Sequence, residues 1–139
     1  MATYNKFQDF VEQLGLGVHN LSTHVLTSYL SNELPLVGDT VKTDVAEITP
    51  ENGYRGGMGD IQNVWSESPA GTGKLVATDV VYTATVGGFG PFQYAVIYNE
   101  DATSPLDALI CWWDYGSSIS CNDAETFTID FGTEVFTLT

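Results

Sequence analysis

The chain has 139 residues, the size of one domain with room for a real core, and its 43% apolar content separates it from disordered sequences. Four Lys and Arg stand against 18 Asp and Glu, a formal net charge of −14, so the surface repels phosphate and argues against nucleic acid and anionic membrane as partners. No apolar run approaches the ~18 residues of a spanning helix, and the opening Met1-Ala2-Thr3-Tyr4 lacks the basic and apolar regions of a secretory signal, so synthesis in a cytosol is expected.

Phe7, Phe10, Val11 and Leu14 recur at i, i+3, i+4 and i+7, one face of a helix, and Val18 and Leu21 extend the pattern. With Thr3 as N-cap the spacing predicts one N-terminal helix over about 4–20. Gly15 and Gly17 each cost about 1 kcal/mol in a helix interior and would bend or fray it. From His24 the period changes: Val25, Leu26, Tyr29 and Leu30 among Thr and Ser predict a first strand. Residues 32–43 carry Pro35, Gly38 and Asp39 and read as a loop. Val41, Val45 and Ile48 share one face of a short helix that Pro50 would stop. Residues 49–59 hold Asn52, Gly53, Gly56, Gly57 and Gly59 around Arg55, without the spacing of a phosphate-binding loop, and are expected to be a flexible surface loop.

The rest reads as strands. Residues 60–67 come first, then a turn at 68–73. Val76, Val80, Tyr82, Ala84 and Val86 then alternate as one strand over 74–86. Residues 87–91 break the run before Phe92, Tyr94, Val96 and Tyr98, and a loop at 99–105 follows. Next, Ala108, Ile110 and Trp112 face one way and Leu109, Cys111 and Trp113 the other, which predicts a central strand buried on both sides. The doublet Trp112-Trp113 therefore cannot form a single stacking platform. A hairpin at Tyr115-Gly116-Ser117 leads to residues 119–121, and Phe127, Ile129, Phe131 and Val135 complete the pattern. The fold class expected is mainly β: one domain over 1–139, an antiparallel, jelly-roll-like β-sandwich with one N-terminal α-helix.

No catalytic constellation emerges. His19 and His24 lie near no nucleophile motif, their i, i+5 spacing misses the i, i+4 pairing that binds zinc on a helix face, and both are expected to be partly exposed. Asp114, Asp130 and Glu125 are the candidates for a glycosidase-type carboxylate pair, but acids that alternate with apolar residues face outward, and no catalytic residue is assigned. Asn99-Glu100-Asp101 with Asn122-Asp123 and Glu125 are oxygen-rich loop segments of the kind calcium favours, without an EF-hand pattern. No metal or cofactor site is assigned, and calcium is the one ion this composition leaves open. For Cys111 and Cys121 two states stay open: a disulfide across the expected hairpin, or two buried thiols, the ordinary state in a cytosol. Exposed aromatics and Arg are enriched at interfaces, which nominates Tyr4, Phe7, Tyr54 and Arg55 as contact residues.

Four segments together carry a resemblance: Ala2-Thr3-Tyr4-Asn5-Lys6-Phe7 running into Gly17-Val18-His19-Asn20-Leu21; Gly90-Pro91-Phe92-Gln93-Tyr94-Ala95-Val96-Ile97-Tyr98-Asn99; Trp113-Asp114-Tyr115-Gly116-Ser117-Ser118; and Glu125-Thr126-Phe127-Thr128-Ile129-Asp130-Phe131. Over nearly its whole length the chain resembles a group of small virion structural proteins of tailed bacteriophages, from whose pattern it departs by carrying Cys111 and Cys121. The resemblance implies a non-enzymatic head decoration, or cement, protein. It would be made in the host cytoplasm and placed on the capsid surface, with the major capsid protein and further copies of itself as partners and a trimer as the favoured oligomer. Two other readings are a tail or fibre component that binds host-surface glycan through an exposed aromatic groove, and a β-sandwich glycan hydrolase.

Overall fold

The computed structural model describes residues 2–56 and 59–139; Met1, Gly57 and Met58 lie outside the described residues, Gly57 of the glycine-rich loop among them. The chain is mainly β and its strand pairs are antiparallel, as expected. Strands β1 (Thr3–Lys6), β2 (Leu26–Ser31), β6 (Phe89–Asn99) and β7 (Leu109–Cys121) form a four-stranded sheet in the order β1-β7-β6-β2. Strands β3 (Val64–Glu67), β4 (Gly73–Val76) and β9 (Phe136–Leu138) form a second sheet, and β5 (Val80–Thr83) pairs with β8 (Thr126–Ile129). Among the described residues the single α-helix, α1, is Gln8–Gly15.

The packing is sandwich-like. One face of the large sheet, with Leu26, Leu30, Ala95, Ile97 and Trp113, shares a core with Leu75 of β4, Val80 and Tyr82 of β5 and Ile129 of β8. The opposite face has its own smaller core, in which Phe7, Val45, Tyr94, Val96 and Trp112 meet. Strand β7 lies between β1 and β6 and is buried on both faces along 109–113, as the doubly apolar pattern predicts. A register shift between Ile97 and Tyr98 changes the alternation, however: Leu109 joins Trp112 in the smaller core, while Ile110 joins Cys111 and Trp113 in the larger. Both tryptophans are core residues, each in a different layer.

Several boundaries differ from the sequence expectation, each for a physical reason. The helix does not span 4–20. Thr3–Lys6 instead pairs antiparallel with β7, from Thr3 opposite Asp114 to Lys6 opposite Cys111, and the helix starts after an extended Phe7. Strand pairing satisfies those backbone groups while Phe7 packs its ring 4.5 Å from that of Trp112. Leu16 caps the helix and Gly17, at φ +81°, ends it. The short helix over 41–48 shrinks to a 3-10 turn, Lys42–Asp44, because the chain beyond it runs extended to hydrogen-bond β2 through Ile48 N–H and Leu30 C=O. The strand over 74–86 divides into β4 and β5, which belong to different sheets. Between them Thr78 N–H reaches Ile61 C=O, and the Asp79 carboxylate accepts from Phe131 N–H.

The hairpin at Gly116 does not form either. Strand β7 continues through it, with an irregularity between the pairs Phe92–Ile119 and Tyr94–Asp114 that Gly116, at φ +81°, accommodates. Cys111 and Cys121 consequently lie ten positions apart on one strand, about 33 Å of extended chain, against the ~7 Å limit between Cα atoms of a disulfide. They are free thiols, and burial raises both above the ordinary range.

The described residues of the segments 46–56 and 59–61 are no free surface loop. They close the outer edge of β2, where Ile61 N–H donates to Leu26 C=O, Ser28 N–H to Gly59 C=O and Leu30 N–H to the Tyr54 hydroxyl. Tyr54 is fully buried and its hydroxyl donates to Glu47 at 2.7 Å. Glu47 pairs with Lys42 at 3.1 Å, and the Lys42 ammonium also lies 5.3 and 5.0 Å from the ring centres of Tyr29 and Tyr98.

Candidate functional site

The residues nominated from sequence do not converge. Phe7 and Tyr54 are fully buried and so cannot be surface contacts; Tyr4 is partly exposed with its ring edge on Trp113, and Arg55 is exposed. The candidate acids are tied to backbone N–H groups of their own segments: Asp114 accepts from Gly116 N–H within β7 and from the Gln93 amide, Asp130 from Gly132 N–H, and Glu125 from Asn122 N–H. Asn99 and Asn122 adjoin opposite ends of β6, since Cys121 pairs with Phe89 at the other end of that strand. The two oxygen-rich loops thus lie at opposite ends of an eleven-residue strand and cannot share one cation.

What the fold does assemble is a corner around His19, and here the expectation of two partly exposed histidines holds for His24, which is half-buried, and fails for His19, which is buried. Asn99, fully buried at the end of β6, organises the corner. Its Oδ1 accepts from the backbone N–H of Asp101, which fixes the amide orientation and turns both N–H donors toward the histidines. They meet His19 Nδ1 at 3.0 Å and His24 Nδ1 at 2.9 Å. Both imidazoles are therefore acceptors at Nδ1 and, when neutral, carry their proton on Nε2. The turn itself is braced: Asn20 Oδ1 accepts from Ser22 and Thr23 N–H, and Asn63 donates to Leu21 and His24 C=O.

Burial, and secondarily the neighbouring His24, pushes His19 down to about 4, with Asp9 opposing, so the ring is neutral at ordinary pH. Its Nε2 has no hydrogen-bond partner among the described residues. The Tyr82 hydroxyl shares that condition, but Tyr82 is packed in the main core against Tyr54 and Phe89. His19 differs in lining a groove of about 430 Å³, within the range of ~300–1,000 Å³ usual for small-molecule sites. The groove runs from the C-terminal end of α1 (Leu14) across the 17–22 turn to Trp65 of β3 and Leu138 of β9. Trp65 is seated by Gly73 on the neighbouring strand: a Cβ there would lie 2.3 Å from the indole, so only glycine lets the ring settle onto β4.

Among the described residues no cluster of three His, Cys, Asp or Glu side chains is placed to hold a metal, and no helix is long and apolar enough to cross a membrane. No family model, curated protein or solved structure matches the chain. The His19 corner escaped the sequence reading because its organiser, Asn99, is some 80 residues from His19. The one local trace is the Asn-Val-Trp of residues 63–65, where alternation turns Asn63 and Trp65 inward and leaves Val64 exposed.

Proposed function

We propose that this chain is a non-enzymatic structural protein of a phage virion: a decoration protein that docks on the major capsid protein at many copies per head. The observation that carries the reading is a braced apolar loop. Leu34, Leu36 and Val37 are 58, 60 and 52% exposed on consecutive turns after β2. The loop is held, not loose: Val37 C=O accepts from Gln8 N–H, Leu36 N–H donates to the Asp39 carboxylate, and Asp39 N–H returns to Leu36 C=O. Leu106, 63% exposed, lies on a neighbouring loop, since Thr40 C=O accepts from Leu109 N–H and Lys42 N–H donates to Asp107 C=O. Rigid apolar side chains left in water mark a contact surface.

Glu33 and Asp39 flank that loop, and the whole chain carries −14, so the complementary partner is a surface with an apolar depression and a basic rim. The motif resemblance supplies the identity of that partner, the capsid shell, and the many-copy, homo-oligomeric mode of attachment. Docking needs no catalytic group, and the acids considered for hydrolysis are engaged by nearby backbone N–H groups.

Quantitative mass spectrometry of purified virions tests the reading. The expected result is a copy number on the scale of the capsid protein, with Leu36→Glu leaving the fold intact by circular dichroism and abolishing uptake onto shells. A few copies per particle, or undiminished uptake of Leu36→Glu, would overturn it.

A further inference from the structure

We infer that the groove between the 17–22 turn and the β3–β9 side of the small sheet binds a neutral saccharide ring. The proposal stands apart from capsid docking, which uses the loop at 34–37.

Trp65, Leu138, Leu14 and Leu21 all line the groove, an apolar and partly aromatic lining of the kind that accepts the C–H face of a pyranose. His19, Asn20 and Ser22 supply the polar side. His19 is the deciding residue. Its Nδ1 is committed to Asn99, which leaves an Nε2–H donor, more than nine-tenths buried, that the protein itself does not satisfy. An unpaired buried donor of this kind is destabilising, and a ligand hydroxyl would relieve it.

The charge pattern selects the ligand class. Among the described residues no Lys, Arg, Asp or Glu lines the groove, and the strongly negative chain repels anions at longer range. A neutral ligand with one apolar face and several hydroxyl groups meets all of these conditions; a phosphate or a hydrocarbon meets only some. The bracing of the turn by Asn20, Asn63 and Asn99 holds the donors in place before binding, which limits the ordering cost of association.

The test is saturation-transfer NMR on the full chain with glucose, galactose, N-acetylglucosamine and rhamnose, each at about 10 mM, a concentration that detects a Kd on the order of 1 mM. Transfer to at least one sugar is expected with the wild type. It should weaken about tenfold in Trp65→Ala and in His19→Phe, and stay unchanged in the docking-loop variant Leu36→Glu. Circular dichroism confirms that each variant is folded; should Trp65→Ala not fold, Ser22→Ala on the exposed rim serves in its place. No transfer to any of the four sugars, or wild-type transfer in folded groove variants, would overturn the assignment.

Discussion

Two places in this molecule bury polar groups against the large sheet, and they are finished differently. Around Tyr54 the accounts close: its hydroxyl accepts from Leu30 N–H and donates to Glu47, and Glu47 is paired with Lys42. Around Asn99 they do not close. The amide serves two histidines and one backbone N–H, yet His19 Nε2 is left without a partner beside an open groove. A closed polar knot fixes one chain path over an edge strand; a knot with a spare donor is equipped to receive something from outside.

The comparison breaks most visibly at Asn99. Asn99→Leu strips His19 Nδ1 of its donor, leaves His24 Nδ1 with Asn20 N–H alone and leaves Asp101 N–H without its acceptor, which should cost about 3 kcal/mol in urea unfolding and loosen the 19–24 turn. At the closed knot, Tyr54→Phe keeps the ring packing but leaves Leu30 N–H buried and unpaired. The expected loss is about 2 kcal/mol, with faster amide exchange at Leu30 as its local signature. Acid sharpens the contrast. His19 titrates from about 6.5 in the unfolded chain to about 4 in the folded one, so its contribution is complete above pH 6.5 and disappears as the pH falls toward 4. Full conversion of that shift would give about 3 kcal/mol; with roughly half discounted for solvent screening beside the groove, a decline of about 1.5 kcal/mol across that window is expected from thermal melts, and His19→Phe should flatten it.

The sequence made the fold class legible because period-two alternation survives in β6 and β7, the two longest strands, and because 109–113 is apolar on both faces. It misled wherever a tertiary partner outweighed a local pattern. The helical period from Phe7 to Leu21 is real, but β7 recruits residues 3–6 as a strand and Gly17 ends the helix early. The glycines at 53, 56 and 59 looked like flexibility; a Cβ at each would meet Thr83, Glu47 or Ser28 within 2.8 Å, so they are sites of close approach. Cys111 and Cys121 could be paired only on the premise of a turn at Gly116 that the strand does not make. The groove was least legible of all: His19, Trp65, Asn99 and Leu138 are brought together from four separate stretches of chain, and no spacing rule links them.

The segment tiled over the rim of β2 has a consequence for crowding. An uncovered rim offers a ready template on which a second chain can add its own strand. Here the outward amides of Ser28 and Leu30 and the carbonyls of Leu26 and Leu30 are already spoken for from within the same molecule. Neighbours pressed together at high density on that flank can touch through side chains alone, and each keeps its own sheet.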